Sequence, residues 1–355
     1  MKVIILKSVL ENILTNATPF LEKKDLSQIT SHFYLNAEED CLQIKSTDFE
    51  IGLSFSSQNV TIVNKGVATA NGKKLLDIVK TFKDENVTLE TINNDLFVKQ
   101  NNSKFKLPMM NALEFPKFPI VENQSKFDID SAEFIKAIKK ITPVIDNNNP
   151  KYELNGALIS IKSDHINLVS TDTKRLALFK IEKNTEKDFS LIIPKKAILE
   201  IQKLFFNKME IFYDENILII KSEDFLFFTK LINGRFPEYE RIIPKELKYR
   251  IQLSREKMVE SIRQISILSS EIKIIFKSKS IIFESLNDDN SEGKTEIDFE
   301  TGLEDDIYFM MNSRYILDFL SNIEENNFIL GYNDSNVPFM LESQNLITII
   351  MPIIK

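Results

Sequence analysis

Near the start of the chain, apolar residues recur at three- and four-residue intervals. Leu6, Val9, Leu10, Ile13, Leu14 and Ala17 fall on one stripe, the spacing of a helix lying on a core. The pattern returns twice at an even interval of about 124 residues. Leu10, Phe134 and Met258 share one register, as do Leu14, Ile138 and Ile262, and Ala17, Ile141 and Ile265. Each copy carries a second amphipathic stretch: Leu75-Leu76-Asp77-Ile78, Ile198-Leu199-Glu200-Ile201 and Ile316-Leu317-Asp318-Phe319. Asn71-Gly72, Pro194 and Asn312-Ser313 precede these stretches. They suit helix starts, because Asn and Ser satisfy orphan amide hydrogens there and proline has none to satisfy. Apolar runs with period-two alternation, such as 211–220 and 225–231, predict strands.

A strand-turn element also recurs at that interval, as Leu42-Gln43-Ile44-Lys45-Ser46-Thr47-Asp48 and Ile166-Asn167-Leu168-Val169-Ser170-Thr171-Asp172. In the third copy it decays: residues 280–285 are followed by a polar stretch at 287–294 that predicts an exposed loop. A repeat this long is a whole domain rather than a solenoid turn. The expected fold is therefore α+β, with three repeated domains at 1–122, 123–246 and 247–355, each with two helices packed on antiparallel sheets. Head-to-tail contacts between equivalent units close a ring where the rotation allows. Two three-domain chains would make a dimer ring of pseudo-sixfold symmetry in which open sheet edges are paired.

Composition narrows the chemistry. At 43% hydrophobic and 27% charged, the 355 residues have the balance of a soluble globular protein, and no apolar run approaches the roughly 20 residues that span a bilayer. The start, Met1 to Leu6, lacks the features of a secretory signal, so a cytoplasmic location is expected. One cysteine, Cys41, excludes an internal disulfide, and with only His32 and His165 besides, neither a metal site nor a cofactor is expected. A net charge of −7 argues against a protein that coats nucleic acid with its whole surface. Yet the helical stretches concentrate positive charge (Lys73, Lys74, Lys80, Lys83; Lys136, Lys139, Lys140; Lys195, Lys196, Lys203, Lys208; Arg255, Lys257, Arg263). The acidic runs at 38–40, 288–289 and 304–306 fall in loop-like contexts. Charge alone leaves open whether the lysines merely solvate helix faces.

An enzyme would need different equipment. A metal-dependent nuclease or phosphoryl transferase built on Asp48 and Asp172 is one alternative, but a Ser-Thr-Asp element placed identically in two domains is better explained as a turn. A phosphate loop and a paired nucleophile are both missing from the sequence. A repeat-built peptide adaptor that does not bind DNA is a second alternative.

Four segments then point to a family: Leu154-Asn155-Gly156; Ser170-Thr171-Asp172-Thr173-Lys174-Arg175-Leu176-Ala177-Leu178; Asn233-Gly234-Arg235-Phe236-Pro237-Glu238-Tyr239-Glu240-Arg241-Ile242-Ile243-Pro244; and Ile349-Ile350-Met351-Pro352. In order, and over the whole chain, they resemble the bacterial beta sliding clamps, the beta subunit of DNA polymerase III. The resemblance implies a non-enzymatic processivity factor, a homodimeric ring loaded around double-stranded DNA without sequence preference. It also implies a peptide pocket for short linear motifs of polymerase subunits, the clamp loader and repair proteins. Carried over residue by residue, the pocket comprises Leu154, Thr171, Thr173, Lys174, Arg175, Leu176, Pro237, Arg241, Ile242, Pro338, Ile349 and Met351. For Leu154, Leu176, Ile242 and Ile349 the residues alone also fit plain core packing. The DNA-facing set becomes Lys23, Asn148, Lys151, Lys195, Lys196 and Lys203. The protomer interface becomes Phe105 and Leu107 against Ile267 and Leu268, for which strand-core packing is the competing reading. Three places depart from the family pattern: Glu22 to Gln28 replaces an Arg-Pro-containing loop, Thr173-Lys174 stands where Gly-His is common, and the tail ends Ile353-Ile354-Lys355.

Overall fold

A computed structural model describes residues 1–122, 124–185, 188–204, 208–286 and 291–354. The chain forms two compact units, Met1–Ile135 with Leu199–Leu231, and Lys136–Ile198 with Ile232–Lys355. Among the described residues are six α-helices: α1 (Lys7–Ala17), α2 (Gly72–Thr81), α3 (Ser131–Ile141), α4 (Lys195–Leu204), α5 (Arg255–Ile265) and α6 (Ser313–Asn322).

The helix registers read from the repeat are visible as burial. Leu10, Phe134 and Met258 are buried, and so are Leu14, Ile138, Ile262, Ala17, Ile141 and Ile265. Burying a Leu, Ile, Phe or Met side chain stabilises by about 1.5–3 kcal/mol and the single alanine by less, so these nine positions hold the helices down. Leu6 departs from the expected stripe: it ends the strand Lys2–Leu6, pairs with Asn86, keeps an extended backbone and is exposed. The ladder claims it before the helix begins. The starts of α2 and α6 are capped, Asn71 Oδ1 accepting from the Lys74 amide at 3.1 Å and Asn312 Oδ1 from the Arg314 amide at 3.0 Å.

In the first unit a five-stranded antiparallel sheet runs in the order 60–64, 2–6, 86–92, 95–100, 103–108. An eight-stranded antiparallel sheet runs 125–127, 210–213, 217–221, 225–230, 51–57, 41–47, 32–38, 66–71. The second unit has an eight-stranded sheet in the order 189–194, 156–161, 165–171, 175–182, 346–350, 339–343, 327–332, 249–254, and a four-stranded sheet in the order 294–298, 280–285, 271–276, 307–312. Each large sheet joins strands of two consecutive sequence copies, through Phe227 paired with Leu53 and through Leu178 paired with Ile347. The compact units cut across the repeats for that reason.

Two expectations change in detail. The run 211–220 is a hairpin rather than one strand, because Asp214 Oδ1 accepts from the Asn216 and Ile217 amides at 2.7 and 2.9 Å and turns the chain between Glu210–Tyr213 and Ile217–Lys221. Lys294, expected in a loop, begins the strand Lys294–Asp298 opposite Glu284. Residues 287–290 of that loop, including Asp288-Asp289, lie outside the described residues, as do residue 123 of the expected domain boundary and Lys355 of the tail.

The recurring Ser-Thr-Asp element is a turn in both copies, bonded alike. Thr47 Oγ1 donates to the Ile51 carbonyl and Thr171 Oγ1 to the Arg175 carbonyl, each at 2.7 Å. Asp48 Oδ1 accepts from the Glu50 and Ile51 amides, and Asp172 Oδ1 from the Lys174 and Arg175 amides. Ser46 and Ser170 donate to the last carbonyls of α1 and α3, those of Ala17 and Ile141.

Candidate functional site

In the second unit a row of cross-strand partners builds an apolar face. Leu158 stands opposite Val169, Val169 opposite Leu178, and Leu178 opposite Ile347. Leu176 stands opposite Ile349, which in turn faces Met340. Directly opposed residues share a face of the sheet, so these side chains form one continuous floor. The segment after Ile232 covers part of it: Phe236 and Tyr239 are buried in the same cluster, Ile243 and Leu247 pack against it, and Leu154 joins from the turn Tyr152–Asn155.

The expected pocket residues divide by position. Leu154, Leu176 and Ile349 are packed as core beneath the surface, whereas Ile242 and Met351 are each 41% exposed. Pro237 and Pro338 are half-buried, while Arg241, Thr173 and Lys174 are exposed. Pro338 precedes Phe339, the ladder partner of Ile350, and the Met351 amide donates to the Lys174 carbonyl at 2.9 Å. That bond sets the exposed end of the last strand beside the turn at 171–175, and Thr171 is buried within that turn.

Arg175 does not offer its side chain to a ligand. Its Nε donates to Asp172 Oδ2 at 2.9 Å, Nη1 to Asp318 Oδ2 at 2.7 Å and Nη2 to the Pro143 carbonyl at 2.9 Å, and the guanidinium lies 4.5 Å from the Tyr315 ring centroid. Its side chain is 4% exposed. An expected contact residue is thus a brace that ties the turn to α6.

Asn167 and Tyr239 were missed. Asn167 Nδ2 donates to the Tyr239 hydroxyl at 3.0 Å, both are buried, and burial raises the Tyr239 pKa above the ordinary phenol value. A lone Asn between the buried Ile166 and Leu168 was the available signal, with the Tyr of the Phe-Pro-Glu-Tyr motif as a long-range polar partner.

The expected DNA-facing residues fall in both units. In the second, Asn148 and Lys151 are exposed on a loop latched by Asn149, whose amide donates to Asn155 Oδ1 at 2.7 Å and whose side chain donates to Asp146 Oδ2 at 2.9 Å. Lys195 belongs to that latch rather than to free surface: its Nζ donates to the Ile145 carbonyl and to Asn147 Oδ1, each at 2.7 Å, and burial lowers its pKa. Lys196 is exposed on α4. In the first unit Lys23 is exposed in the loop after Leu21, and Lys203 is exposed with its ammonium 2.9 Å from Glu200 Oε1.

Of the expected interface residues, Phe105 is partly exposed on 103–108, an outer strand of its sheet, and packs its ring 5.7 Å from that of Phe82. Leu107 on the same strand is buried. Ile267, 83% exposed, and Leu268 follow α5.

Asp48 and Asp172 spend their carboxylates on turn amides, and no cluster of three or more His, Cys, Asp or Glu side chains suited to a metal lies among the described residues. An apolar pocket rimmed by a turn is suited to hold a side chain. Fold and site together define a binding scaffold made of repeated α+β modules.

Comparison with known proteins makes the class specific. Models of the DNA polymerase III beta subunit match the chain in series, the N-terminal domain at 1–119, the central domain at 128–238 and the C-terminal domain at 240–353. The beta sliding clamp of Helicobacter pylori (strain J99) is 39% identical over 351 residues, covering 96% of this chain and 94% of the relative. That of Buchnera aphidicola subsp. Rhopalosiphum padi is 29% identical over 354 residues, covering 97% and 96%. A crystal structure of the Helicobacter pylori beta clamp bound to a DNA ligase peptide superposes with a TM-score of 0.95 at 39% identity, covering all of both chains. The chain belongs to the DNA polymerase III beta subunit family, the bacterial beta sliding clamps, which are three-domain, non-catalytic processivity subunits of the replicative polymerase.

Proposed function

We propose that two copies of this chain close head to tail into a ring around duplex DNA in the cytoplasm, and that each copy tethers polymerase subunits, the clamp loader and repair proteins through the pocket of its second unit. The domains divide at about residues 122 and 246. What carries the peptide-binding reading is the pairing of a buried apolar floor with two exposed apolar side chains, Ile242 and Met351, at its edge. A few such anchors provide most of the energy of a small interface. The Helicobacter pylori relative holding a ligase peptide supports the same use here.

Asn148, Lys151 and Lys196, with Lys23 and Lys203 of the other unit, meet phosphates, while Lys195 holds the loop that presents Asn148 and Lys151. Contacts limited to phosphates fix position without reading sequence and exchange along the duplex, which is what sliding needs. The protomer interface uses Phe105 and Leu107 of one copy against Ile267 and Leu268 of the other. The outer strands 103–108 and 294–298 lie at sheet edges and bring Lys104 and Lys106 on one side, Glu296 and Asp298 on the other. Pairing these edges would cover open ladder groups with charges of opposite sign.

The test is retention on DNA. Protein loaded onto nicked circular plasmid should stay bound through gel filtration and fall off when the plasmid is cut once by a restriction enzyme. Equal retention on circular and linear DNA would refute the topological link.

A further inference from the structure

The floor row of the peptide pocket, Leu158, Val169, Leu178 and Ile347, has a counterpart in the first unit. Tyr34 stands opposite Lys45, Lys45 opposite Ser54, and Ser54 opposite Leu226, so the same ladder positions recur about 124 residues earlier. There the row floors a groove of about 650 Å³, walled by the segment 112–120. That wall occupies the place in its copy that the Phe-Pro-Glu-Tyr segment holds over the proposed pocket, and it carries its own Phe115-Pro116. One end of the groove is filled. Gly52, the counterpart of Leu176, leaves room for the Phe228 ring, which meets the Phe118 ring at 5.0 Å. A Cβ at Gly52 would come within 2.3 Å of that Phe228 ring.

The rest of the groove differs in chemistry. Where the pocket has Val169, the groove has a lysine whose ammonium lies 5.7 Å from the Tyr34 ring centroid and 5.4 Å from that of Phe118. The Lys45 ammonium makes no ion pair or hydrogen bond among the described residues, and burial lowers its pKa from the ordinary lysine value while Glu38 acts in the opposite sense. On the wall, Leu113 is 94% exposed and Ile120 is exposed too, apolar side chains with nothing over them. Glu223 and Asp224 line the same groove with Lys221 and Lys117, and their opposite charges sit exposed at its margin.

We propose that this groove is a second peptide-docking site, taking a short segment that sets an acidic side-chain carboxylate on Lys45 and an apolar side chain against Leu113 and Phe115. A half-buried cation beside two rings, with no carboxylate in direct contact among the described residues, is complementary to a carboxylate, and the apolar wall beside it rewards a neighbouring Leu or Phe. The inference leans on the peptide-binding reading of the first pocket for its analogy, and the experiment separates the two.

Full-length protein labelled with carbon-13 at lysine Cε and methionine methyl carbons is titrated with acetyl-Leu-Phe-Asp-amide and acetyl-Leu-Phe-Asn-amide. Lys45→Met assigns the Lys45 signal and keeps a similar stem between the rings. The Met340 and Met351 methyls report the first pocket in the same sample. The Asp peptide is expected to shift the Lys45 signal saturably, with the Asn peptide about fivefold weaker for want of the charge-assisted bond. Leu113→Glu, on an exposed position, should weaken the response without disturbing the fold. No saturable shift at Lys45, an equal response to the Asn peptide, or tighter binding by a short DNA duplex would each overturn the proposal. A Lys45 response with silent methionine methyls would uphold it and count against the first-pocket reading instead.

Discussion

At the scale of single residues, the turn at 171–175 shows how much local chemistry one position can carry. Thr173 sits at φ 72° and its counterpart Phe49 at φ 73°, the left-handed region that L-residues, and β-branched ones most of all, avoid. The conformation is held from outside, because Thr171 Oγ1 accepts from the Thr173 amide at 3.1 Å and Asp172 fastens the next two amides. Glycine needs no such restraint. Relief of about 1–2 kcal/mol of left-handed strain, less about 0.5–1 kcal/mol for the entropy of a freer unfolded chain, leaves a gain. Thr173→Gly should therefore stabilise the unit by about 0.5–1 kcal/mol in urea unfolding. A loss of stability would mean that the threonine makes a compensating contact. The motif was legible in sequence as a turn, but its backbone sign was not, since nothing in the letters Thr-Asp-Thr-Lys demands a positive φ.

Arg175 and Met351 were indistinguishable as letters and differ in what they touch. Arg175→Ala would strip a buried guanidinium from Asp172 and Asp318, and breaking a buried ion pair by deleting one partner costs about 3–5 kcal/mol. Both carboxylates retain some solvent, so about 3 kcal/mol is the expected loss, seen as a lower unfolding midpoint together with weaker peptide binding. Met351→Ala should leave the midpoint unchanged and weaken a Leu- and Phe-bearing polymerase peptide by about 1–2 kcal/mol in calorimetry. If both variants bound as wild type, the pocket assignment would be lost. If Arg175→Ala weakened the peptide with no change in stability, the brace would be the wrong account of it.

At the scale of elements, periodicity gave away what is buried on one side and missed what depends on partners. The three helix registers were readable because one helix face must be apolar to lie on a sheet, and the same three depths are filled by Leu10, Phe134 and Met258. The hairpin at 211–220 was not, because Ile211, Ile217 and Ile219 continue an apolar sequence through Asp214, and only the bonds of that carboxylate reveal the reversal. The sharing of sheets between copies was also hidden. Phe225–Lys230 and Arg175–Glu182 read as ordinary strands, and their pairing to strands of the neighbouring copy rests on contacts far apart in sequence. Those shared sheets matter for the proposed function, since both the proposed peptide pocket and its first-unit counterpart are floored by them. The apolar positions of the proposed pocket could be named only through a resemblance, because buried Leu and Ile carry no sign of which core they face. Lys45 was quoted within a recurring motif yet passed as an ordinary strand residue, and the two rings beside its ammonium appear only once its neighbours are in place.

At the scale of the whole molecule, grip on DNA by threading and grip by charge make opposite demands on salt. A surface that holds DNA through six to ten phosphates loses about 10³–10⁵ in affinity between 50 and 200 mM salt, as counterion release becomes less favourable. A closed ring need not be attracted to the duplex at all once loaded, and the chain's net charge of −7 keeps general attraction low. The lysines then matter for sliding and loading, and the protomer interface for staying on. Ile267→Glu with Leu268→Glu sets two carboxylates on side chains that are exposed in the isolated chain, so folding should be unaffected while dimerisation fails. Sedimentation should show a species near 41.1 kDa in place of one about twice that mass. On circular DNA the wild-type protein should keep its retention as salt rises to about 200 mM, whereas the double variant, with every lysine intact, should be lost at the low end of that range. Matching salt curves for the two proteins would mean that charge, not closure, does the holding.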